Sequence, residues 1–168
     1  MRRAWPILSF LAVVAVLVAT RAGGGDEMPA GAARAGRVVR VVDGDTIHVR
    51  VDGRDERVRY IGIDTPEEVK PDTPVQCFAR AAAAANGKLV AGRDVRLVPD
   101  VEERDRFGRL LAYVFRSGDG RFVNAELVSE GFARTLTIPP NVRYAERFAS
   151  LAAQARRADR GLWGACGP

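Results

Sequence analysis

Side chains that bind zinc or iron–sulfur clusters are scarce in this sequence. Its 168 residues include one histidine and two cysteines, too few for a zinc finger, a zinc ribbon or an iron–sulfur module. Glycine, proline and aromatic residues occur at ordinary frequencies and no segment repeats, which excludes collagen-like, low-complexity and wholly disordered chains. The sequence therefore predicts one ordinary domain, in which any bound metal ion is held by oxygen ligands.

Positive charge is only slightly in excess outside the N-terminus. The chain has 26 basic and 21 acidic residues, a net charge of +5. Three of the arginines lie in residues 1–22, which contain no acidic residue, so the remainder has 23 basic and 21 acidic residues, or +2. A charge this small does not by itself indicate a nucleic-acid-binding protein.

The first 22 residues have the features of a targeting segment. Two arginines precede an uncharged apolar run from Ala4 to Thr20, the arrangement of a secretory signal peptide. The sequence after this run lacks a clean cleavage site of small residues, so an uncleaved N-terminal membrane anchor is the alternative. Both readings predict a secreted or extracytoplasmic protein. Residues 23–35, rich in glycine and alanine, are predicted to be a flexible linker.

Residues 36–168 form the predicted domain, with strands first and helices later. Alternating apolar residues and turn residues predict five strands, at Arg37–Val42, Thr46–Val51, Arg57–Ile63, Asp94–Val98 and Leu110–Phe115. Helical spacing predicts three helices, at Gln76–Val90, at Val123–Glu130 and after Asn141, which is a candidate N-cap. This order is typical of an α+β, mainly β protein with a five-stranded OB-fold barrel.

Acidic residues cluster in two turns at the ends of predicted strands. The first turn contains Asp43 and Asp45, and the second contains Asp64, Thr65 and Glu67. If both turns meet at one rim of the barrel, the carboxylates repel one another unless a cation binds between them. Oxygen ligands favour Ca²⁺ or Mg²⁺, and the Thr65 backbone carbonyl adds a ligand. The alternative is that both segments are ordinary turns.

Two arginines accompany these turns. Arg59 lies in the third predicted strand, and Arg109 directly precedes the fifth. A guanidinium grips two phosphate oxygens and stays charged, so two arginines beside a cation would stabilise a phosphoryl group under attack. Glu67 is a candidate to orient or deprotonate the attacking water. For any one arginine, the simpler interpretation is a solvated surface charge.

Three segments contain these polar residues. They are VVDGDT at 41–46, RYIGIDTPE at 59–67 and DRFGRLLAY at 105–113. In composition, order and spacing they resemble the staphylococcal nuclease (thermonuclease) family, and the likeness covers about residues 36–163. The resemblance implies a five-stranded OB-fold barrel with three helices. It also implies Ca²⁺-dependent hydrolysis of DNA and RNA that leaves 3′-phosphate ends.

The resemblance implies a set of metal ligands. Asp45, Asp64 and the backbone carbonyl of Thr65 match the family's calcium ligands, and Asp43 matches a carboxylate that lies close by or binds through water. These are the residues that the two acidic turns indicate on their own.

Three further residues match the family's catalytic positions. Arg59 and Arg109 match the two arginines that hold the scissile phosphate, and Glu67 matches the general base or water-orienting carboxylate. Because all three are intact, the sequence favours an active enzyme. The expected partners are DNA and RNA, preferably single-stranded, and the protein is expected to be a monomer.

The sequence also departs from the best-known member of the family. Phe107 replaces a tyrosine that contacts a terminal phosphate, and Arg106 replaces a lysine. Residues 136–139 lack the two tyrosines that line the nucleotide pocket of that member. We therefore expect weaker nucleotide binding and an altered base preference, because aliphatic side chains offer no ring face for stacking.

Cys77 and Cys166 are also additional to that member. Export implies an oxidising compartment, in which the two are candidates for a disulfide. The single histidine, His48, is expected on the outer face of its strand without a partner.

Two other functions are compatible with the sequence. The missing tyrosines favour a non-catalytic OB-fold module that binds single-stranded nucleic acid. The N-terminal segment alone would suit a scaffold protein of the cell envelope.

Overall fold

The computed structural model describes residues 33–67 and 74–166. The predicted targeting segment and nearly all of the predicted linker lie outside the described residues. The described chain forms seven strands, which are β1 (Arg34–Val41), β2 (Thr46–Val51), β3 (Arg54–Tyr60), β4 (Gly62–Asp64), β5 (Asp94–Val98), β6 (Leu110–Arg116) and β7 (Arg134–Leu136). Its helices are α1 (Ala79–Val90), α2 (Val123–Ser129), α3 (Ala145–Arg157) and α4 (Leu162–Ala165).

Five of the strands close into a barrel in the order β1-β2-β3-β6-β5. The neighbours are antiparallel except β3 and β6, which run parallel, with Val58 opposite Leu110. The expected α+β fold with a five-stranded OB-type barrel is therefore confirmed. The interior is filled by the alternate apolar side chains of the strands, among them Ile47, Val49 and Val58, which are fully buried.

The third predicted strand is divided into two. Gly62 has φ +80°, which turns the chain out of the barrel, and β4 then pairs with β7 as a separate two-stranded sheet. A Cβ on Gly62 would lie 2.5 Å from the ring of Phe148 on α3. The helix therefore packs directly against this turn, which fixes where the strand carrying Asp64 begins.

Several predicted boundaries are wrong. β1 begins at Arg34 and pairs with β5 from that residue, so the last two residues assigned to the linker belong to the barrel. The third helix begins at Ala145, so Asn141 is not its N-cap. Instead the Asn141 side chain exchanges two hydrogen bonds of 2.8 Å with the backbone of Glu102. The short helix α4 adds a fourth helix to the three expected.

A disulfide joins Cys77, just before α1, to Cys166 at the end of α4. It links positions 89 residues apart, and so ties the start of the helical region to the C-terminal turn. Within residues 33–67 and 74–166, no helix has the length and hydropathy required to cross a bilayer.

Candidate active site

Arg59 connects the two acidic turns at the rim of the barrel. Its Nε lies 3.1 Å from Asp45 Oδ1, and its Nη2 donates to Asp64 Oδ1 at 2.8 Å. Its Nη1 donates to the backbone carbonyls of Tyr60 and Ile63, both at 2.7 Å. With 13% of its side chain exposed, Arg59 is fixed in one orientation by four acceptors.

Hydrogen bonds between Asp45 and Thr65 form a second connection between the two acidic turns. Asp45 Oδ2 accepts hydrogen bonds from the backbone N–H of Thr65 at 2.8 Å and from its hydroxyl at 3.0 Å. Gly44 allows this close approach, since a Cβ there would lie 2.7 Å from the Thr65 side chain. Both Asp45 and Thr65 are buried. The structure therefore brings Asp45, Asp64, Thr65 and Arg59 together.

Asn86 on α1 forms hydrogen bonds that support the turn containing Asp43 and Asp45. Its Nδ2 donates to the backbone carbonyl of Asp43, and its Oδ1 accepts from the hydroxyl of Tyr60. The Asp43 side chain in turn accepts a hydrogen bond from the backbone N–H of Asp45 at 2.9 Å. The position of both aspartates is thus set by a helix that is distant in sequence.

The charged forms of Asp43 and Asp64 are disfavoured at this rim, because both carboxyls have a raised pKa. Burial, and then repulsion from Asp45, raise the pKa of Asp43 to about 6. Burial also raises the pKa of Asp64, with Asp45 contributing repulsion and Arg59 acting in the opposite direction. Carboxylates whose charged form is disfavoured in this way are stabilised by a nearby cation.

The chemistry of the rim fits a hard divalent cation. The carboxylates of Asp43, Asp45 and Asp64 lie near one another there, and carboxylate oxygens are the ligands that Ca²⁺ prefers. In the described part of the chain, no three or more acidic, histidine or cysteine side chains form a group that could hold a metal ion. The hydrogen bonds and ion pair that Asp45 makes with Thr65 and Arg59 occupy both of its oxygens.

Arg109 is positioned by Asp105. Its Nε lies 2.6 Å from Asp105 Oδ2, while Asp105 Oδ1 accepts from the backbone N–H groups of Phe107 and Arg109. Burial opposes ionisation of Asp105, but the hydrogen bonds from Arg109 outweigh it and lower the pKa of the carboxyl. One aspartate therefore shapes the loop and aims the guanidinium.

Both arginines line one cavity of about 470 Å³. Residues 60–63, Leu111 of β6, and Leu136 and Ile138 around β7 form much of the remaining wall. Phe107, 68% exposed, also lines the cavity. The guanidinium carbons of Arg106 and Arg109 lie 4.7 and 5.5 Å from the centre of the Phe107 ring. A cavity lined by three arginines and by several apolar side chains suits a ligand that combines phosphate with flat, weakly polar groups.

Glu67 is not among the residues that line this cavity. It is exposed, and its backbone exchanges hydrogen bonds with Gln76, its N–H donating to Oε1 and its carbonyl accepting from the Gln76 N–H. Its carboxylate forms no hydrogen bond or ion pair within the described residues. The structure therefore leaves Glu67 at the end of the second acidic turn, next to residues 68–73, which it does not describe.

Comparison with known proteins identifies the family. The model of the family described as "Staphylococcal nuclease homologue" matches residues 57–165. The chain belongs to the staphylococcal nuclease family. It is 46% identical over 126 residues to a thermonuclease of Staphylococcus intermedius, covering 75% of this chain and 74% of that one.

Two further relatives support the assignment. A thermonuclease of Staphylococcus hyicus is 42% identical over 127 residues, which cover 76% of this chain and 74% of the relative. The endonuclease YncB of Bacillus subtilis is 38% identical over 130 residues, covering 76% of this chain and 61% of the relative. The resemblance inferred from the three sequence segments is thereby confirmed.

The structure places the departures from the family pattern in the wall of the cavity. Leu136 and Ile138, from the segment without tyrosines, line it together with Phe107 and Arg106. Both aliphatic side chains are exposed, by 39% and 59%. In this member of the staphylococcal nuclease family, Phe107, Leu136 and Ile138 therefore offer apolar area to the cavity and no hydroxyl group.

Two buried asparagines that hold the backbone around the site were not predicted from the sequence. Asn86 holds the Asp43 turn, and Asn124 on α2 donates to the carbonyl of Ile61 and accepts from the N–H of Val114. Both are fully buried. A polar residue at a buried helical position is the available signal, since a buried amide needs partners, but the sequence does not say which backbone groups it meets.

Proposed function

We propose that the protein is a secreted or membrane-anchored Ca²⁺-dependent nuclease that cleaves DNA and RNA and leaves 3′-phosphate ends. The observation that carries the proposal is the placement of Arg59 and Arg109 on one cavity, with Arg59 bonded to Asp45 and Asp64. Phosphate recognition beside a carboxylate cluster is what phosphodiester hydrolysis requires.

Hydrolysis of phosphodiester bonds follows from the family and from its relatives, which are named thermonuclease and endonuclease. The protein is a nuclease of this family. Beyond this, we propose that cleavage depends on calcium, that it leaves 3′-phosphate ends, and that the protein is secreted or anchored in the membrane.

The two arginines bind the scissile phosphate in our proposal. Each guanidinium offers paired N–H donors, and their charge stabilises the additional negative charge that develops as water attacks phosphorus. Water forms the new P–O bond, the bond from phosphorus to O5′ breaks, and a proton passes to the departing O5′. The phosphate therefore stays on the 3′ side.

Asp45, Asp64 and the Thr65 carbonyl would hold the calcium ion, with Asp43 nearby. Bound there, Ca²⁺ would supply Lewis-acid stabilisation of the phosphate oxygens. Asp45 and Asp64 would then be shared between the ion and Arg59, which contacts one oxygen of each carboxylate. Glu67 would accept the proton of the attacking water.

Activity of the purified full chain on denatured DNA tests the proposal. Cleavage should appear with Ca²⁺, disappear with chelator and decrease by at least about a hundredfold in Glu67→Gln. Products should lose a terminal phosphate to phosphatase only at their 3′ ends. Folded protein that cleaves equally well in chelator would contradict the calcium requirement, and 5′-phosphate products would contradict the polarity.

A second candidate is a binding-only module. It is favoured by one observation, namely that Glu67 lies outside the cavity lining. This function predicts that single-stranded DNA binds the protein and is recovered intact in the presence of Ca²⁺, with wild type and Glu67→Gln behaving alike.

A further inference from the structure

The outer surface of the β1–β3 sheet carries a patch of basic side chains apart from the cavity. Directly paired residues in antiparallel strands project to the same face. Arg37 pairs with Arg50, and Arg40 pairs with His48, which pairs in turn with Arg57. We call this patch the basic face; it consists of Arg37, Arg40, His48, Arg50 and Arg57, and one acidic residue, Asp55, lies opposite Arg50 on the same face.

The basic face is open to solvent. Its four arginines are exposed and His48 is partly exposed. The helices pack against β1, β4, β6, β7 and one another. Among residues 33–67 and 74–166, no helix packs extensively on the β2–β3 hairpin, so its outer side can receive a ligand.

Acidic residues neutralise only part of this charge. Arg37 pairs with Asp94, and His48 Nδ1 lies 3.1 Å from Asp55, so the expectation that His48 has no partner is wrong. Arg40 Nη2 lies 2.7 Å from His48 Nε2. Arg40, Arg50 and Arg57 have no ion pair with any residue in 33–67 or 74–166, so they remain available to an anion.

The basic face leads directly to the candidate active site. Arg57 lies two residues before Arg59 on β3, about 6.6 Å along the strand, and alternate residues of a strand share a face. From Arg57 the patch continues across the sheet to His48 and Arg40. When Arg59 binds one phosphate of a nucleic-acid strand, the neighbouring phosphates of that strand can therefore contact the guanidinium groups of the basic face.

Arginines elsewhere are engaged differently. Arg156 and Arg134 lie over the ring of Trp163, at 4.4 and 5.7 Å from its centre, and Arg96 lies against Phe115. These guanidinium groups stack on aromatic side chains of the domain itself. On the basic face, Arg50 and Arg57 have neither an aromatic nor an ion-pair partner among the described residues, and Arg57 lies on the same strand as Arg59.

We infer that the basic face binds the phosphates of the substrate strand that flank the scissile bond, with Arg50 and Arg57 as its main contacts. The inference rests on the proposed nuclease function, because it takes the bound polymer to be the substrate. A surface of this kind raises the affinity for long single strands and makes it salt-dependent.

The test compares two double variants with the same change in net charge. Arg50→Gln/Arg57→Gln removes charge from the basic face, while Lys88→Gln/Arg157→Gln removes it from exposed positions on α1 and α3. Binding of a labelled thymidine single strand of about 16 nucleotides is measured by fluorescence anisotropy in chelator, across a range of salt concentrations. This readout needs no cleavage.

The basic-face variant should bind about tenfold more weakly near 0.1 M salt, and the slope of log K against log [salt] should fall by about 1.4, or 0.7 per lost contact. The matched control should keep its affinity within twofold of wild type and its salt slope unchanged. With Ca²⁺, kcat/KM for the long strand relative to a thymidine dinucleotide should fall about tenfold.

Failure of the inference and failure of the proposed function give different results. Equal slopes and affinities in the two double variants, or no binding of the strand by wild type, would overturn the basic face as a binding surface. Normal binding without calcium-dependent cleavage would leave the basic face supported and contradict the proposed enzyme.

Discussion

At the scale of single residues, the two arginines of the cavity differ in how they are held. Arg59 is tied to the carboxylates of Asp45 and Asp64 and to two backbone carbonyls. Arg109 is held mainly by Asp105, within its own loop. Arg59 therefore stabilises the junction of the two acidic turns in addition to any role with phosphate. Arg109 does not connect separate turns.

Alanine substitutions should separate these two roles. Arg109→Ala and Arg59→Ala should each lower kcat/KM by about 10²–10³ or more, because each removes a charge that stabilises the reacting phosphate. Arg59→Ala should also lower the free energy of unfolding by about 3 kcal/mol, more than Arg109→Ala does, since it leaves the more deeply buried Asp45 without its cation. Enzyme assays together with urea unfolding measure both effects, and equal stability of the two variants would contradict the structural role of Arg59.

Asp105 gives a prediction about pH. Its pKa is lowered in the folded protein despite burial, because Arg109 and two backbone N–H groups stabilise the carboxylate. A lowered folded-state pKa contributes stability that is present above the unfolded pKa of about 3.9 and is lost as the pH falls through the folded value. Asp105→Asn should thus lower Tm at pH 6 by more than at pH 3.

Thermal unfolding at several pH values measures this difference. Asp119→Asn is the control, because Asp119 pairs with Arg116 and is more exposed, at 41%. A Tm difference between wild type and Asp105→Asn that stays constant from pH 6 to pH 3 would contradict the assignment.

At the scale of elements, the division between β3 and β4 decides where Asp64 lies. β3 belongs to the barrel and β4 pairs with β7, and the chain changes sheet where Gly62 has positive φ. The apolar pattern of 57–63 is continuous and indicated one strand. Contact between Gly62 and Phe148 of α3 is a tertiary feature, and no local pattern reports it.

A pair of glycine substitutions isolates this contact. Gly62→Ala and Gly53→Ala both place a Cβ on a residue with φ near +80°, but only the first meets a ring, at 2.5 Å, while the second meets nothing within 4 Å. Gly53→Ala should cost about 1 kcal/mol from backbone strain alone. Gly62→Ala should cost about 1–3 kcal/mol more, because Phe148 must shift within a packed core.

Denaturant midpoints of the two variants check this expectation. If Gly62→Ala is no less stable than Gly53→Ala, the close packing of α3 on the turn is not a constraint. In that case the position of Asp64 is fixed by its ion pair with Arg59 and by the pairing of β4 with β7.

At the scale of the whole molecule, the Cys77–Cys166 disulfide spans most of the domain. Its closed loop includes α1, β5, β6, α2, β7, α3 and α4. Cross-linking so long a segment restricts the unfolded chain, and the chain-entropy model gives about 4–5 kcal/mol for a loop of this length. The short C-terminal helix is thereby held to the chain just before α1.

Removing the bond should lower stability without changing the fold. Cys77→Ser/Cys166→Ser should unfold at a lower urea concentration, by an amount equivalent to about 4 kcal/mol, and a reductant should shift wild type to the same midpoint. The double variant itself should not respond to reductant. A wild-type midpoint that is unaffected by full reduction would contradict a stabilising role for the bond.

The sequence by itself determined the barrel and the identity of the polar residues at its rim. Alternation of apolar residues and Asp-Gly turns are local signals, and they predicted the barrel strands to within a few residues, together with both acidic turns and the two arginines. These signals suffice because a strand's buried face and a turn's backbone preferences are properties of a few consecutive residues.

The tertiary structure alone decided how these groups meet. Arg59 pairs with both Asp45 and Asp64. Asn86 hydrogen-bonds to the backbone of Asp43, and Asn141 to the backbone of Glu102. Most of these contacts join residues that are distant in the chain, and all of them need precise geometry. Such contacts depend on where closed strands and packed helices bring their side chains. That depends on the packing of the entire core, which no short stretch of sequence specifies.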